Sequence, residues 1–252
     1  MPRYKITIEY DGTGLAGWQA QPEKYSVQEA LEAALHKFCG EQAEVIGAGR
    51  TDAGVHAYNM AAHFEVVKEL DASKVAEGLN FYLRKDSKLP VPYQISVTGA
   101  GLAEADFHAR FNAKMRYYEY KIVNRRGHLA LDNLRAWAVH EKMDAEKMHD
   151  AAQILVGRHD WSSFRSSECQ AKDPVKSLAA ISVERQGENI IIKCNGISFL
   201  HHQVRNIVGT LKYVGIGKWT KDDLQRILAA KDRTKAGPTA PAQGLYFVKV
   251  EY

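Results

Sequence analysis

The run GAGRTDAGVHA, Gly47 to Ala57, gathers three glycines, an arginine, a threonine and an aspartate between apolar stretches. Two readings of Asp52 compete there. Gly, Asp and Thr are turn residues, and an aspartate side chain readily bonds the backbone two residues on. A single ionised carboxylate can also attack an electron-poor carbon and form a covalent intermediate, provided a nearby cation keeps it deprotonated at neutral pH. The rest of the chain has to decide between a turn and a nucleophile.

Other chemistries fail on context. GTGLAG (Gly12, Gly14, Gly17) follows an alternating strand pattern, as a dinucleotide fingerprint would. The third glycine should then open a helix whose N-terminus holds a pyrophosphate, but WQAQPEKYS follows and Pro22 blocks helix before Ser26. GAGRTDAG lacks the lysine and spacing of a P-loop. No DxD, HExxH or GxSxG occurs, and Ser162, Ser163, Ser166 and Ser167 read as loop serines. The pairs His201/His202 and His56/His63, in helix and strand settings without a carboxylate partner, are expected to pack or hydrogen-bond rather than ligate a metal. Cys39, Cys169 and Cys194 are odd in number and widely spaced, which predicts neither disulfides nor a zinc site. No metal and no cofactor are expected.

Around these residues the periodicity alternates between strand and helix. YKITIEY (Tyr4 to Tyr10) has the two-residue period of a half-buried strand. SVQEALEAALHKFCG places Val27, Ala30, Leu31, Ala34, Leu35 and Phe38 on one helical face, with Ser26 and Glu29 at capping-box spacing and Gly40 as the stop. Further strands are expected at MAAHFEVV, RYYEYKIV, AAISVERQ, NIIIKCN and LYFVKVEY, and helices at DAEKMHDAAQILVG, FLHHQVRNIVGTLKYVG and KDDLQRILAA. Without a regular βαβ beat this mixture predicts an α+β fold with a largely antiparallel sheet. No short repeat or low-complexity linker interrupts it. A weak echo between YKITIEYDG and YYEYKIVN suits two related lobes meeting at ADFHARFNAK.

At 252 residues, 45% hydrophobic and 25% charged, the chain has room for one large or two smaller cores and the composition of an ordinary globular protein. No apolar run approaches the ~18 residues of a membrane span, and the alternating N-terminus is unlike a signal peptide, so a cytoplasmic protein with no membrane partner is expected. The net charge of +4 permits a nucleic-acid partner without demanding one. Lys114, Arg116, Lys121, Arg125 and Arg126 are interleaved with tyrosines in NAKMRYYEYKIVNRR. That suits a phosphate backbone with unstacked bases, or a strand with one solvated face.

GRTDAGVHA, taken with YDGTGLAGWQAQP, DFHARFNAKMRYYEYKI, FLHHQVRNIVGTL and APAQGLYFVKVEY, closely resembles the tRNA pseudouridine synthase A family, the TruA type. Five ordered motifs from Tyr10 to nearly the C-terminus carry the resemblance. It implies the pseudouridine synthase fold, α+β, with helices flanking a largely antiparallel mixed sheet. Lobes 1–105, with the Asp52 loop, and 106–252 would then leave the active-site cleft between them. It implies a cofactor-independent isomerase, a homodimer, that converts uridine to pseudouridine in the tRNA anticodon stem-loop at the nucleotides conventionally numbered 38, 39 and 40.

On this resemblance Asp52 matches the nucleophile, attacking ribose C1′ or, alternatively, uracil C6. Tyr118, the first tyrosine of the Y-x-Y pattern completed by Tyr120, would stack on the target base. Arg205 would pair with Asp52, Arg50 would help displace the base from its stack, and Leu245 would lie under the uracil. The physics is consistent. A paired uridine must be flipped out at a cost of a few kcal/mol, and stacking on a tyrosine returns roughly 1 to 3 kcal/mol. The segment between Asn80 and Phe107 looks longer than the family pattern by about one loop, which bears on substrate contacts or dimer packing. Two rivals remain: an RNA-binding protein without catalysis, and a nucleotide-cofactor enzyme using GTGLAG.

Overall fold

The computed structural model describes residues 1–22 and 24–252. The chain divides into two compact units, Met1–Lys114 with Tyr246–Tyr252, and Met115–Leu245.

In the first unit, β1 (Arg3–Tyr10) buries Tyr4, Ile6, Ile8 and Tyr10 on one face, as its alternation predicts. It pairs antiparallel with β3 (His56–Glu65) on one side and β4 (Ile95–Ala103) on the other. The two-residue β2 (Ile46–Gly47) adds antiparallel to the far end of β3. The last strand, β10 (Leu245–Glu251), adds parallel to its near end at Tyr246 and Phe247. Helix α1 (Val27–Cys39) has the capping box the sequence predicts: Ser26 Oγ accepts from Glu29 N at 3.2 Å and Glu29 Oε2 accepts from Ser26 N at 3.0 Å. Gly40, in the left-handed region, ends it. Its buried stripe of Val27, Leu31 and Leu35 is worth roughly 1.5 to 3 kcal/mol per side chain in apolar transfer. Helix α2 (Ala72–Leu83) packs on α1 and β4.

In the second unit, β5 (Met115–Asn124), β9 (Asn189–Gly196), β8 (Val175–Gln186) and β7 (Gly157–Asp160) form an antiparallel meander in that spatial order. The short β6 (Trp137–Val139) runs parallel to β5. Helix α3 (Ala145–Ala152) packs on β8, α4 (Gln203–Gly215) and α5 (Lys221–Ala230). Trp161, Phe164 and Tyr120 are the second unit's largest fully buried side chains. Both units are therefore mixed sheet with flanking helices, the expected α+β class.

Several elements depart from the sequence expectation. Segment 199–215 is helical only from Gln203, because His202 sits at φ 63, outside the helical region. Segment 144–157 is helical only as far as a last 3-10 turn at Gln153–Leu155. The Asn80 to Phe107 segment carries the end of α2 and all of β4, so much of it is regular structure rather than loop. Arg116 does not belong to a solvated basic face: it is buried and donates through Nη1 to the Ile197 carbonyl.

Candidate active site

Asp52 stands on the connection between β2 and β3, and its neighbours fix the backbone on both sides. Val55 N donates to the Asp52 carbonyl at 3.1 Å, closing a tight turn through Gly54 at φ 82. The Thr51 hydroxyl shares a hydrogen bond with Tyr10 Oη at 2.8 Å, and the Thr51 carbonyl accepts from Trp18 N at 3.1 Å. Upstream, Ala48 N donates to the Ala61 carbonyl at 2.8 Å. Asp52 is half-buried and Arg50 is exposed.

Two glycines of GTGLAG have a packing reason. Gly17 sits at φ 94, and a Cβ there would stand 2.3 Å from the Thr51 carbonyl oxygen and 2.8 Å from the Asp52 carbonyl carbon. A Cβ on Gly12 would stand 2.1 Å from the Val55 carbonyl oxygen. Contacts that short leave room for hydrogen alone. The segment also serves α1, whose first N–H groups, from Val27 and Gln28, donate to the carbonyls of Gly17 (3.1 Å) and Trp18 (3.0 Å). One stretch of chain thus satisfies the open end of a helix and holds the Asp52 turn.

His56, the first residue of β3, does have a carboxylate partner, contrary to the sequence expectation. Its Nδ1 lies 3.1 Å from Asp11 Oδ1 and 3.0 Å from Gly12 N, so its tautomer decides whether it donates to the carboxylate or accepts from the amide. Burial alone would raise the Asp11 carboxyl, but hydrogen bonds from His56 and Thr13 outweigh it and hold it well below the usual carboxylate range. The His56 ring stacks on Tyr246 with centroids 4.8 Å apart, and Tyr246 stacks on Tyr58 at 5.0 Å. His63 fits the expectation of packing: its Nδ1 accepts from Ala109 N at 3.2 Å and its ring meets Phe107 edge-on. His201 and His202 stand on the turn before α4, ring centroids 3.9 Å apart.

The second unit holds Tyr118, Arg205 and Leu245. Tyr118 lies on β5 opposite Cys194 of β9, and its ring meets Phe199 edge-on at 5.0 Å. Burial raises the Cys194 thiol to about 12, which keeps that cysteine inert. Arg205, in the first turn of α4, is tied to Ala240 twice: its Nε donates to the Ala240 carbonyl at 2.7 Å and its own carbonyl accepts from Ala240 N at 3.1 Å. Tyr120 Oη donates to the Pro241 carbonyl at 2.7 Å. Burial pushes the Tyr120 phenol above its ordinary range, against the pull of the Arg205 cation. Gly244 leaves the Tyr120 ring its space, since a Cβ there would lie 2.5 Å from Tyr120 Cζ. The buried Leu245 follows directly.

Of the sequence-predicted residues, Asp52 and Arg50 thus share one loop of the first unit. In the second, the Arg205 helix and the approach to Leu245 are fastened through Ala240, Pro241 and Tyr120. Sequence reasoning missed the clamp of Tyr10, Thr51 and Trp18 and the Asp11–His56 pair. Its one available signal was the clustering of Asp11 with three glycines directly after a strand.

A family model described as tRNA pseudouridine synthase matches residues 6–112 and 151–252. The tRNA pseudouridine synthase A of Rhodospirillum centenum is 52% identical over 252 residues, which cover 100% of both chains. Those of Paramagnetospirillum magneticum and Maricaulis maris are 51% and 50% identical over 100% of this chain, covering 96% and 98% of their own. Matches of this extent and identity are not those of a shared fold alone, and the chain belongs to the tRNA pseudouridine synthase family, whose enzymes are isomerases.

Proposed function

We propose that this protein converts uridine to pseudouridine in the anticodon stem-loop of tRNA, at nucleotides 38, 39 and 40, with Asp52 as nucleophile. The observation that carries the reading is the Asp52 turn, clamped by Tyr10 and Trp18, in a chain of this family. A nucleophile whose backbone is held this way loses less freedom when its carboxylate attacks. Attack at ribose C1′ forms a C1′–O bond as the C1′–N1 bond breaks, the electron pair leaving on the uracil. The base turns, C5 displaces the carboxylate, the C5 proton leaves and N1, freed from the ribose, takes up a proton. Addition of Asp52 to uracil C6 is the other route. Substrate and product contain the same atoms and no electron enters or leaves, so no cofactor is needed.

Tyr118 stacks on the flipped base in this reading, Leu245 supports the uracil, and Arg50 helps to displace the base. Arg205 orients the Asp52 carboxylate and keeps it ionised. No described helix is long and apolar enough to cross a membrane. We propose a homodimer acting in the cytoplasm, where its substrate is. Light scattering of the purified protein tests the dimer, and a monomeric mass rejects it.

The decisive experiment incubates the protein with unmodified tRNA transcripts and maps pseudouridine. Product at nucleotides 38 to 40 is expected. Asp52→Asn keeps the size and hydrogen bonding of the side chain and is expected to bind tRNA without turnover. Binding with no product from the wild type leaves an RNA-binding protein, and Asp52→Asn activity within about tenfold of wild type rejects the covalent role.

A further inference from the structure

At the carboxyl end of β5, about 20 Å along the strand from Tyr118, a cavity of ≈ 580 Å³ is walled by Arg125, Arg126, His140, Glu141, Lys142 and Arg185. Asn124 holds the walls in place. Its Nδ2 donates to the carbonyls of Val139 (2.9 Å) and Glu141 (2.7 Å), and its Oδ1 accepts from Met143 N (3.2 Å) and Arg185 Nη2 (2.9 Å). Arg185 Nη2 also donates to the Met143 carbonyl at 2.7 Å. The concavity is a built feature joining the ends of β5, β6 and β8.

Its charge is one-sided. Glu141, the carboxylate in the wall, is taken by Lys212 at 2.6 Å. Arg125 uses Nη1 on Glu188 (3.0 Å) and Nη2 on the His128 carbonyl (3.0 Å), while its buried Nε has no hydrogen-bond partner. Arg126 and Lys142 are exposed, and among the described residues neither has a carboxylate partner.

We propose that this cavity binds a phosphodiester of the RNA backbone, as a docking contact for the tRNA substrate distinct from the base-stacking Tyr118; the assignment rests on the function proposed above. Guanidinium edges match phosphate oxygens in geometry as well as charge. Two unpaired cations at an open rim suit a chain of phosphates that runs across the site. Free inorganic phosphate presents the same chemistry and is the other source to be distinguished.

The test replaces the two unpaired cations, Arg126→Gln with Lys142→Gln, neither of which fastens an element. Lys37→Gln with Lys74→Gln, on exposed positions of α1 and α2, removes equal charge elsewhere as a control. Binding of unmodified tRNA is measured across salt concentrations, melting temperature is followed with and without inorganic phosphate, and turnover is recorded separately. The pocket variant is expected to weaken binding on the order of tenfold near 0.1 M salt. The slope of log affinity against log salt should also become shallower by about 1 to 2, with an unchanged melting temperature. The control is expected to lose less than half of that. Equal losses in both variants, or no loss in the pocket variant, overturn the inference. So does loss of phosphate stabilisation with tRNA affinity intact, which assigns the cavity to the free ion. Wild-type protein that binds through this pocket yet makes no pseudouridine overturns the proposed reaction and leaves the docking site. Pseudouridine made at full rate with pocket binding unchanged overturns the docking site alone.

Discussion

Thr51 is bonded through its hydroxyl to Tyr10 and through its carbonyl to Trp18, so the residue before the proposed nucleophile has no freedom to drift. Removing one tie separates fold from positioning. Tyr10→Phe keeps the buried ring and loses the 2.8 Å hydrogen bond, and is expected to cost about 1 kcal/mol of stability. It should also slow single-turnover pseudouridine formation about tenfold with tRNA affinity unchanged, because a small misplacement of a reacting group is costly. An unchanged rate at lower stability would show that the tie serves only the fold. Tyr118 is tested by a pair of variants. Tyr118→Phe preserves the ring and is expected to bind tRNA normally, while Tyr118→Ala weakens binding by about 1 to 3 kcal/mol. An Ala variant that melts earlier but keeps its activity per folded molecule makes Tyr118 a core residue and ends its assignment to the base. Asp52 stands out in the sequence because five ordered motifs, its own among them, carry the family resemblance, and its role rests on that resemblance. The tie to Tyr10 was not, since it joins residues 41 positions apart that carry no joint local pattern.

Elements were legible where the local signals agreed with one another. Helix α1 has a capping box, one apolar stripe and a terminal glycine, and it forms within a residue of the expected bounds. Helix α2 was missed because Val75, Leu79 and Leu83 make only a thin buried stripe and Gly78 interrupts it. Strand β4 was missed because Gly99 and Gly101 break the alternation of ISVTGAGLA. At α4 the apolar pattern begins before the helix does, and the left-handed backbone at His202 has no signature in a histidine. The same helix carries a glycine whose role only packing reveals: a Cβ on Gly209 would lie 1.7 Å from the Pro238 carbonyl oxygen. Across from it, a Cβ on Gly237 would lie 2.6 Å from the Gly209 carbonyl oxygen. This close approach brings Ala240 to Arg205. Gly209→Ala gains up to about 1 kcal/mol of helix propensity and is nonetheless expected to be net destabilising by about 1 to 3 kcal/mol through overpacking. Denaturant unfolding measures the sum, and a stabilised variant would mean that helix and loop separate at little cost.

The whole chain is basic, with a net charge of +4 at pH 7, so acidification adds charge to an already positive molecule and opposes compactness generally. Two groups turn that tendency into a defined profile. Burial, with electrostatic repulsion from His108 and Arg3, lowers the His63 imidazole to about 4 despite Glu65, against an ordinary value of 6.5. Between those values the unfolded chain takes up a proton that the folded chain refuses. The stability present above pH 6.5 is therefore lost as pH falls toward 4, by at most about 3 kcal/mol. Asp11 acts lower on the scale. Its carboxyl is held below the usual range by His56 and Thr13, so its contribution is complete above its ordinary value of 3.8 and disappears as pH falls further. The expected curve has two limbs, a decline from pH 6.5 to 4 owed to His63 and a second, at lower pH, that Asp11 shares with the other carboxyls held below their ordinary values, Asp160 and Glu141 among them. His63→Gln retains an acceptor for Ala109 N but cannot titrate, and is expected to flatten the first limb while leaving the second in place. Urea unfolding of both proteins at half-unit pH steps from 7 to 3 reads the two limbs separately. Parallel curves from pH 6.5 to 4 would assign the acid sensitivity to net charge and remove His63 from the account.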